Sequence, residues 1–429
     1  MSLIDHLSYL TADLPGTGGV LKRRPEDFLV DEQPLYEPCG EGEHLYLFVE
    51  KKRATTLDVA RRLAKAFRVK RSDVGYAGLK DKHAVTRQHV SVHLPGSTPA
   101  EDAEGLARFA DYPYAQVIWA DRHTNKLKRG HHGGNRFVIY VRDVAPTAVL
   151  HAKPILDRLA AEGFPNYLGE QRFGYRQNSH TLGRLLLRGQ WQDLLDEMLG
   201  GPLEIEGEEV RDARRAYETG DYDRALELMP KSLRGDRQAL DALRQHKTPE
   251  AAVKAIDRTQ RDFLVSATQS AVFNAVVDAR LRDAALSQLL PGDLAWKHDN
   301  RACFAVDAAT ANLENGPDGR MNTLEVSPSG PFWGPGMTRP GGVVLERELA
   351  ALHDAGLSED DFAGHAGVST DGTRRPLRER LTDAECSGGV DEQGPYLRLA
   401  FTLGRGAYAT MAVREIIKTP DHGDGSTTP

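Results

Sequence analysis

Several common chemistries are missing from this chain of 429 residues. It has only three cysteines, Cys39, Cys303 and Cys386, far apart and odd in number, which speaks for reduced thiols rather than a disulfide framework. No apolar run approaches the ~18 residues a membrane-spanning helix needs. The opening Met1-Ser2-Leu3-Ile4-Asp5-His6 lacks the basic start and apolar stretch of a secretory signal. A cytoplasmic protein without membrane contact is therefore expected. There is no Gly-Lys dipeptide and hence no P-loop, and neither Cys-x-x-Cys nor His-Glu-x-x-His occurs. His131 and His132 are neighbours in sequence and cannot share one helix face as zinc ligands usually do. Gly16-Thr17-Gly18-Gly19 and Gly133-Gly134 are too short for a dinucleotide fingerprint. No metal and no cofactor is expected.

What is present is a charged, globular composition, 40% hydrophobic and 27% charged, long enough for two or three domains. The net charge of −7 argues against a polyanionic partner, but its distribution does not. Residues 51–90 carry twelve Lys and Arg against Asp58, Asp73 and Asp81. Arg122, Lys126, Lys128, Arg129 and Arg136 form a second basic stretch. Asp193, Asp196, Glu197, Glu204, Glu206, Glu208 and Glu209 form an acidic block with no base inside it. A polyanion responds to clustered Lys and Arg rather than to the isoelectric point, so the basic stretches fit either an RNA surface or an ordinary solvated face.

Thr55-Thr56-Leu57-Asp58 reads as a capping box, with Leu57, Ala60, Leu63, Ala64 and Phe67 following at helical spacing. Residues 74–79 read as a short strand, and Val90, Val92 and Leu94 alternate as a half-buried one. Asp81 thus falls in a connection between two strands. Residues 137–141 form a further strand, residues 154–162 a helix, and residues 262–282 a long helix apolar on several faces. Leu397, Leu399, Phe401 and Leu403 alternate, and Gly404-Arg405-Gly406 turns the chain into a helix over 408–416. The polar tail from Pro420 should fray.

The segment with the most unusual chemistry is Ala77-Gly78-Leu79-Lys80-Asp81-Lys82-His83-Ala84-Val85-Thr86-Arg87-Gln88, in which an acid is flanked by two lysines in a tight connection. Neighbouring cations favour the carboxylate, which can act as nucleophile or base; a surface turn with a casual ion pair fits the local chemistry as well. This segment resembles the signature motif of the TruD family of tRNA pseudouridine synthases. Four further stretches resemble family motifs in the same order: Gly16-Thr17-Gly18 with Leu21-Lys22 and Pro25-Glu26-Asp27-Phe28; Gly133-Gly134-Asn135-Arg136-Phe137; Pro165-Asn166-Tyr167-Leu168-Gly169-Glu170-Gln171-Arg172-Phe173-Gly174; and Gly406-Ala407-Tyr408-Ala409-Thr410 with Arg414-Glu415. Leu168 and Tyr408 depart from the pattern, which uses Phe there, and residues 190–255 are longer than in compact bacterial members.

The resemblance implies isomerisation of uridine, with uridine 13 of tRNA as the target and no cofactor. It makes Asp81 the catalytic carboxylate and Lys22 the group that pairs with it. Phe28 and Tyr408 match positions that contact the base. Asn135, able to donate and accept at once, suits the uracil edge, and Phe137, two residues on, shares its strand face, with plain core as an equal alternative for Phe137. The implied fold is α+β: a pseudouridine synthase-type mixed, largely antiparallel sheet with helices in residues 1–160 and 370–429, plus an inserted α/β TRUD domain over 161–369. The RNA is expected in the cleft between the domains, against the basic stretches. Nothing in the sequence sets the oligomeric state, and a monomer is compatible with it. Two rivals remain: an RNA-binding or RNA-folding protein whose catalysis is weak or lost, and a nucleoside hydrolase.

Overall fold

The computed structural model describes residues 4–363, 368 and 371–418, so the tail from Pro420 lies outside the described residues. The chain divides into two compact units, one of residues 9–164 with 379–429 and one of residues 1–8 with 165–378.

The first unit is built on an eight-stranded sheet. Its strands are β1 (Phe28–Pro34), β2 (His44–Lys51), β3 (Val74–Tyr76), β4 (Val85–His93), β5 (Ala115–His123), β6 (His132–Arg142), β7 (Leu381–Asp391) and β8 (Gly394–Gly404). The order is β7-β8-β6-β1-β4-β2-β5, with β3 on β4. Every pairing is antiparallel except β1 with β4. The helices are α1 (Thr56–Ala66), α2 (Pro99–Ala110), α3 (Ala148–Glu162) and α4 (Ala409–Ile417).

Alternation decides what each strand buries. On one side Leu45, Leu47, Val49, Val90 and Val92 pack with Val59, Leu63 and Phe109 of α1 and α2. The α1 capping box forms as expected: the Asp58 amide donates to Thr55 Oγ1 at 3.1 Å and the Thr55 amide to Asp58 Oδ2 at 3.0 Å. In the other half, Phe28, Val30, Phe137, Ile139, Leu399 and Phe401 are buried, and α3 packs against β7 and α4. Helix α3 starts at Ala148, earlier than Pro154 suggested, and contains that proline. The carbonyl it leaves unpaired belongs to Leu150, an exposed residue, so water can satisfy it.

The motif glycines are set by close approach. A Cβ on Gly134 would lie 2.2 Å from the Leu403 carbonyl oxygen across the β6–β8 ladder, and one on Gly16 would lie 2.6 Å from the Ile417 oxygen. The Thr17 and Gly18 amides donate to the Ile416 and Ile417 carbonyls, 2.9 Å each, and the buried Glu415 carboxylate accepts the Leu10 and Thr11 amides. Two of the motifs thus meet.

The second unit is mainly helical, with a four-stranded antiparallel sheet. The helix Arg258–Arg282 is buried along much of its length, as its apolar faces predict. Asn274 fixes the Pro165–Gly174 motif to it: its Oδ1 accepts the Leu168 amide at 2.8 Å and its Nδ2 donates to the Leu168 carbonyl at 2.9 Å. Leu168 is buried, so the change from Phe keeps an apolar contact. The acidic block is not a uniform surface feature. Glu206 is buried and accepts Arg214 Nε on both oxygens at 2.9 Å and the Tyr175 hydroxyl at 2.9 Å.

Candidate active site

Strands β1 and β3 occupy the same lane beside β4, β1 against Val85–Arg87 and β3 against Val90–Val92. Between them the His89 amide is taken by the carboxylate of Glu32, at 3.1 Å. The connection from β3 to β4, residues 77–84, carries Asp81.

Four contacts fix this connection. The Ala77 carbonyl accepts the Gly130 amide at 2.8 Å, and the Lys80 amide donates to Thr56 Oγ1 at 2.9 Å. The Lys80 ammonium meets the buried Glu32 carboxylate at 2.5 Å. The Asp81 carbonyl accepts Lys51 Nζ at 2.7 Å. A loop held at so many points presents its side chain without large entropic loss.

Both oxygens of Asp81 are engaged. Oδ1 accepts the His83 amide at 2.9 Å and Oδ2 accepts Lys22 Nζ at 2.5 Å. The pair is about one-quarter exposed, 24% for Lys22 and 26% for Asp81. Burial pushes the Asp81 carboxyl up, but the Lys22 hydrogen bond, the His83 amide and the Lys22 charge outweigh it, holding the group below its ordinary carboxylate value. Of the two flanking lysines that suggested an ionised acid, Lys80 points to Glu32 and Lys82 is exposed; the cation on the carboxylate comes from 59 residues away.

Lys22 has a φ of 54°, a left-handed conformation that costs a non-glycine residue about 1 kcal/mol. Its backbone is held by the neighbouring bridge of Val20 to Arg142 (2.8 and 2.9 Å). Its ammonium also lies 4.6 Å from the centroid of the Phe28 ring. Phe28 meets Phe137 edge to face at 6.1 Å, and Phe137 meets Phe401 at 5.9 Å. Asp81, Lys22, Phe28 and Phe137 therefore form one continuous chain of contacts. Both phenylalanines are buried, and Phe137, between two rings, belongs to the core.

Asn135 lies opposite Glu32 in β1 and Leu403 in β8, on the same strand face as Phe137. Its Oδ1 is buried and has no hydrogen-bond partner among the described residues. Tyr408 stands half-buried at the N-cap of α4, beyond a turn whose Arg405 donates to the Gly130 carbonyl at 2.6 Å. Among the described residues no hydrogen bond, ion pair or ring contact joins Tyr408 or Asn135 directly to Asp81. His131 Nδ1 sits 3.2 Å from the Tyr36 hydroxyl. The described residues contain no group of three His, Cys, Asp or Glu able to hold a metal ion, and no helix among them is long and apolar enough to cross a membrane.

Sequence reasoning missed Lys51, Glu32 and Arg142. The first two carried a signal. In β2 the inward register Leu45, Leu47, Val49 continues to Lys51, and in β1 Phe28, Val30 continues to Glu32, so each strand places a charge where a core residue belongs.

The family profile described as tRNA pseudouridine synthase D (TruD) matches residues 6–416. The chain belongs to the TruD family. It is 44% identical over 416 residues to the tRNA pseudouridine synthase D of Geobacter sulfurreducens, covering 97% of this chain and 98% of the relative. It is 36% identical over 415 residues to the enzyme of that name from Anaeromyxobacter dehalogenans, covering 96% of each. The crystal structure of a protein titled tRNA pseudouridine synthase D (TruD) from Methanosarcina mazei superposes with a TM-score of 0.79 at 25% identity, over 96% of each chain. The mixed, mostly antiparallel sheet is thus the TruD architecture, and the five motifs noted above are spread along its matched length.

Proposed function

We propose that this TruD-family chain isomerises uridine in tRNA to pseudouridine, with Asp81 as the catalytic carboxylate and uridine 13 as the position modified. The observation that carries the reading is the Lys22–Asp81 pair at 2.5 Å, still a quarter open to solvent on a loop fixed at four points. In this isomerisation the C1′–N1 bond breaks, uracil turns, a C1′–C5 bond forms, the C5 hydrogen leaves as a proton and N1 takes one up. A carboxylate can begin it by attacking C1′, by adding to the base or by removing a ribose proton. Each route needs an available electron pair, which the environment of Asp81 preserves.

The uridine has to leave its stack to reach a side chain in this position. The Oδ1 of Asn135, without a hydrogen-bond partner among the described residues, suits acceptance of the uracil N3–H. Tyr408 offers a half-buried aromatic ring that makes no ring contact among the described residues, and stacking on an aromatic is worth roughly 1–3 kcal/mol. Phe28 and Phe137 act from beneath, by fixing Lys22. A hydrolase of the two-carboxylate kind would want a second acid opposite the first. Glu32 does not supply it, because Lys80 and the His89 amide occupy its oxygens.

RNA tritiated at uracil C5 tests the reading. Tritium release without base loss is the expected result. Free uracil would indicate a hydrolase, and binding without either would indicate an RNA-binding protein. Mapping pseudouridine in tRNA from cells lacking this protein tests the position: loss at uridine 13 is expected, and its retention would overturn that assignment.

Replacing Lys22 by Met should lower turnover by about 10- to 100-fold through misplacement of the acid. Burial would then act on Asp81 without its main counterweight, so the acid limb of the pH–rate profile should move upward. An unmoved limb would show that Lys22 does not govern Asp81.

The basic stretches are more committed than the sequence suggested. Lys52 pairs with Glu26, Arg87 with Glu50, Arg122 with Asp102 and Arg136 with Glu385, while Lys51 is buried. Lys82 and Lys128 are exposed, and among the described residues their ammonium groups make no hydrogen bond or ion pair. Changing both to Glu should weaken tRNA binding and flatten its salt dependence by about one unit of slope per lysine. An unchanged slope would remove these lysines from the RNA surface.

A further inference from the structure

Lys51 is an expensive residue to keep where it stands. It is 1% exposed at the inward end of β2, in a register otherwise filled by Leu45, Leu47 and Val49. Its ammonium has three donors, yet among the described residues its one hydrogen-bond acceptor is the main-chain carbonyl of Asp81, at 2.7 Å. The lysine spends its charge on a neutral acceptor in the backbone of the residue that carries the chemistry. A purely structural role at this position would be met by an apolar side chain of similar length, without the cost of burying an ion.

We propose that Lys51 is a positioning residue for the isomerisation: its buried ammonium holds the main chain of Asp81 through a charge-assisted hydrogen bond, and the loop is held more tightly in its working geometry while that ammonium is charged. This rests on the reading of Asp81 as the catalytic carboxylate. The side chain of Asp81 is aimed by Lys22 and the His83 amide, whereas its backbone is aimed by Lys51, so the two lysines act on different atoms of one residue.

Burial pushes Lys51 down from an ordinary 10.5 to about 8. The charges facing it are Asp81 and Lys80 from the loop and Asp58 from α1; the two acids favour the ammonium and Lys80 opposes it. Its β-ladder neighbours, Thr86 and Ala115, carry no charge. Below about pH 8 the clamp is closed. As pH rises from about 8 to 10.5, the folded chain binds fewer protons than the unfolded one, so burial of this group becomes less costly to the fold, while the neutral amine that results is a weaker donor to the Asp81 carbonyl. Activity and stability should therefore move in opposite directions.

The test uses the full chain. Lys51→Met should leave tRNA affinity and KM unchanged, lower kcat by about 100-fold, and melt at the same temperature as the parent or above it. In the parent, kcat should fall as pH rises through about 8. Lys51→Arg, whose guanidinium stays charged, should keep its activity across that range. The amide resonance of His83, which reports the Asp81 carboxylate, should titrate in the RNA-free parent with a midpoint near 8. Unchanged kcat in Lys51→Met, a loss of kcat matched by a loss of stability, or a His83 amide indifferent to that pH range would each overturn the proposal. Should Lys51→Arg fail to fold, the parent titration decides alone. That titration needs no turnover, so it separates this proposal from the catalytic reading, which fails instead if an Asp81→Asn protein remains active.

Discussion

Asp81→Asn should lower single-turnover tritium release on the order of 10⁴-fold while leaving tRNA affinity close to that of the parent. The amide is nearly isosteric with the carboxylate but has no charge and no comparable nucleophilic or basic electron pair. It can turn its oxygen to only one of the two donors now served. Facing Lys22, it sets its NH2 against the His83 amide, which then loses its acceptor. Fold stability should change modestly, because the pair is partly open to solvent and the isosteric amide still accepts from one of the two donors. What the ion pair contributes is present above the unfolded carboxyl value and lost as pH falls through the depressed folded one. A mutant with equal binding, similar melting and no release locates the defect in the chemical step. Turnover within tenfold of the parent would remove Asp81 from that step.

The elements that bring Asp81 into place were legible wherever one strand or helix carries its own pattern. The capping box of α1, the alternation of β8 and the apolar faces of the Arg258–Arg282 helix follow from local chemistry and formed as expected. The loop around Asp81 was legible as a connection between strands for the same reason. Its electrostatics were not. Lys80 and Lys82 are adjacent in sequence, but a turn sends neighbouring side chains in different directions, and the Asp81 side chain meets Lys22. Pairings across the sheet depend on register, which alternation alone does not set. Lys51 and Glu32 show what the pattern can give: it reveals that a charge lies inside, and leaves open which atom that charge serves. Tyr408 shows the reverse case. A family motif singled it out, and at the start of α4 its side chain makes no capping hydrogen bond.

Arg142→Met should be the most destabilising single change near the site, at about 3–5 kcal/mol. Arg142 is 2% exposed and Asp27 is fully buried. Its Nε and one terminal nitrogen donate to Asp27 Oδ1 at 3.0 and 2.7 Å, and its other terminal nitrogen donates to both oxygens of Asp391 at 2.8 Å. Asp27 in turn accepts the Arg24 amide at 3.1 Å, which closes the short turn leading into Phe28. Burial raises the Asp27 carboxyl, but Arg142 and Arg24 outweigh it and hold the group below its ordinary value. Without Arg142 only Arg24 opposes burial, so the folded value should rise toward or above the unfolded one. In the parent, the stability contributed by Asp27 is kept at neutral pH and lost in acid. In the variant that contribution should be lost, because protonation relieves the buried charge. Urea denaturation should accordingly show a deficit that widens from acid to neutral pH. Adding Asp27→Asn should restore part of the loss, since it removes the stranded charge itself. A double variant as unstable as the sum of the two single changes would mean that Arg142 and Asp27 do not act as a pair.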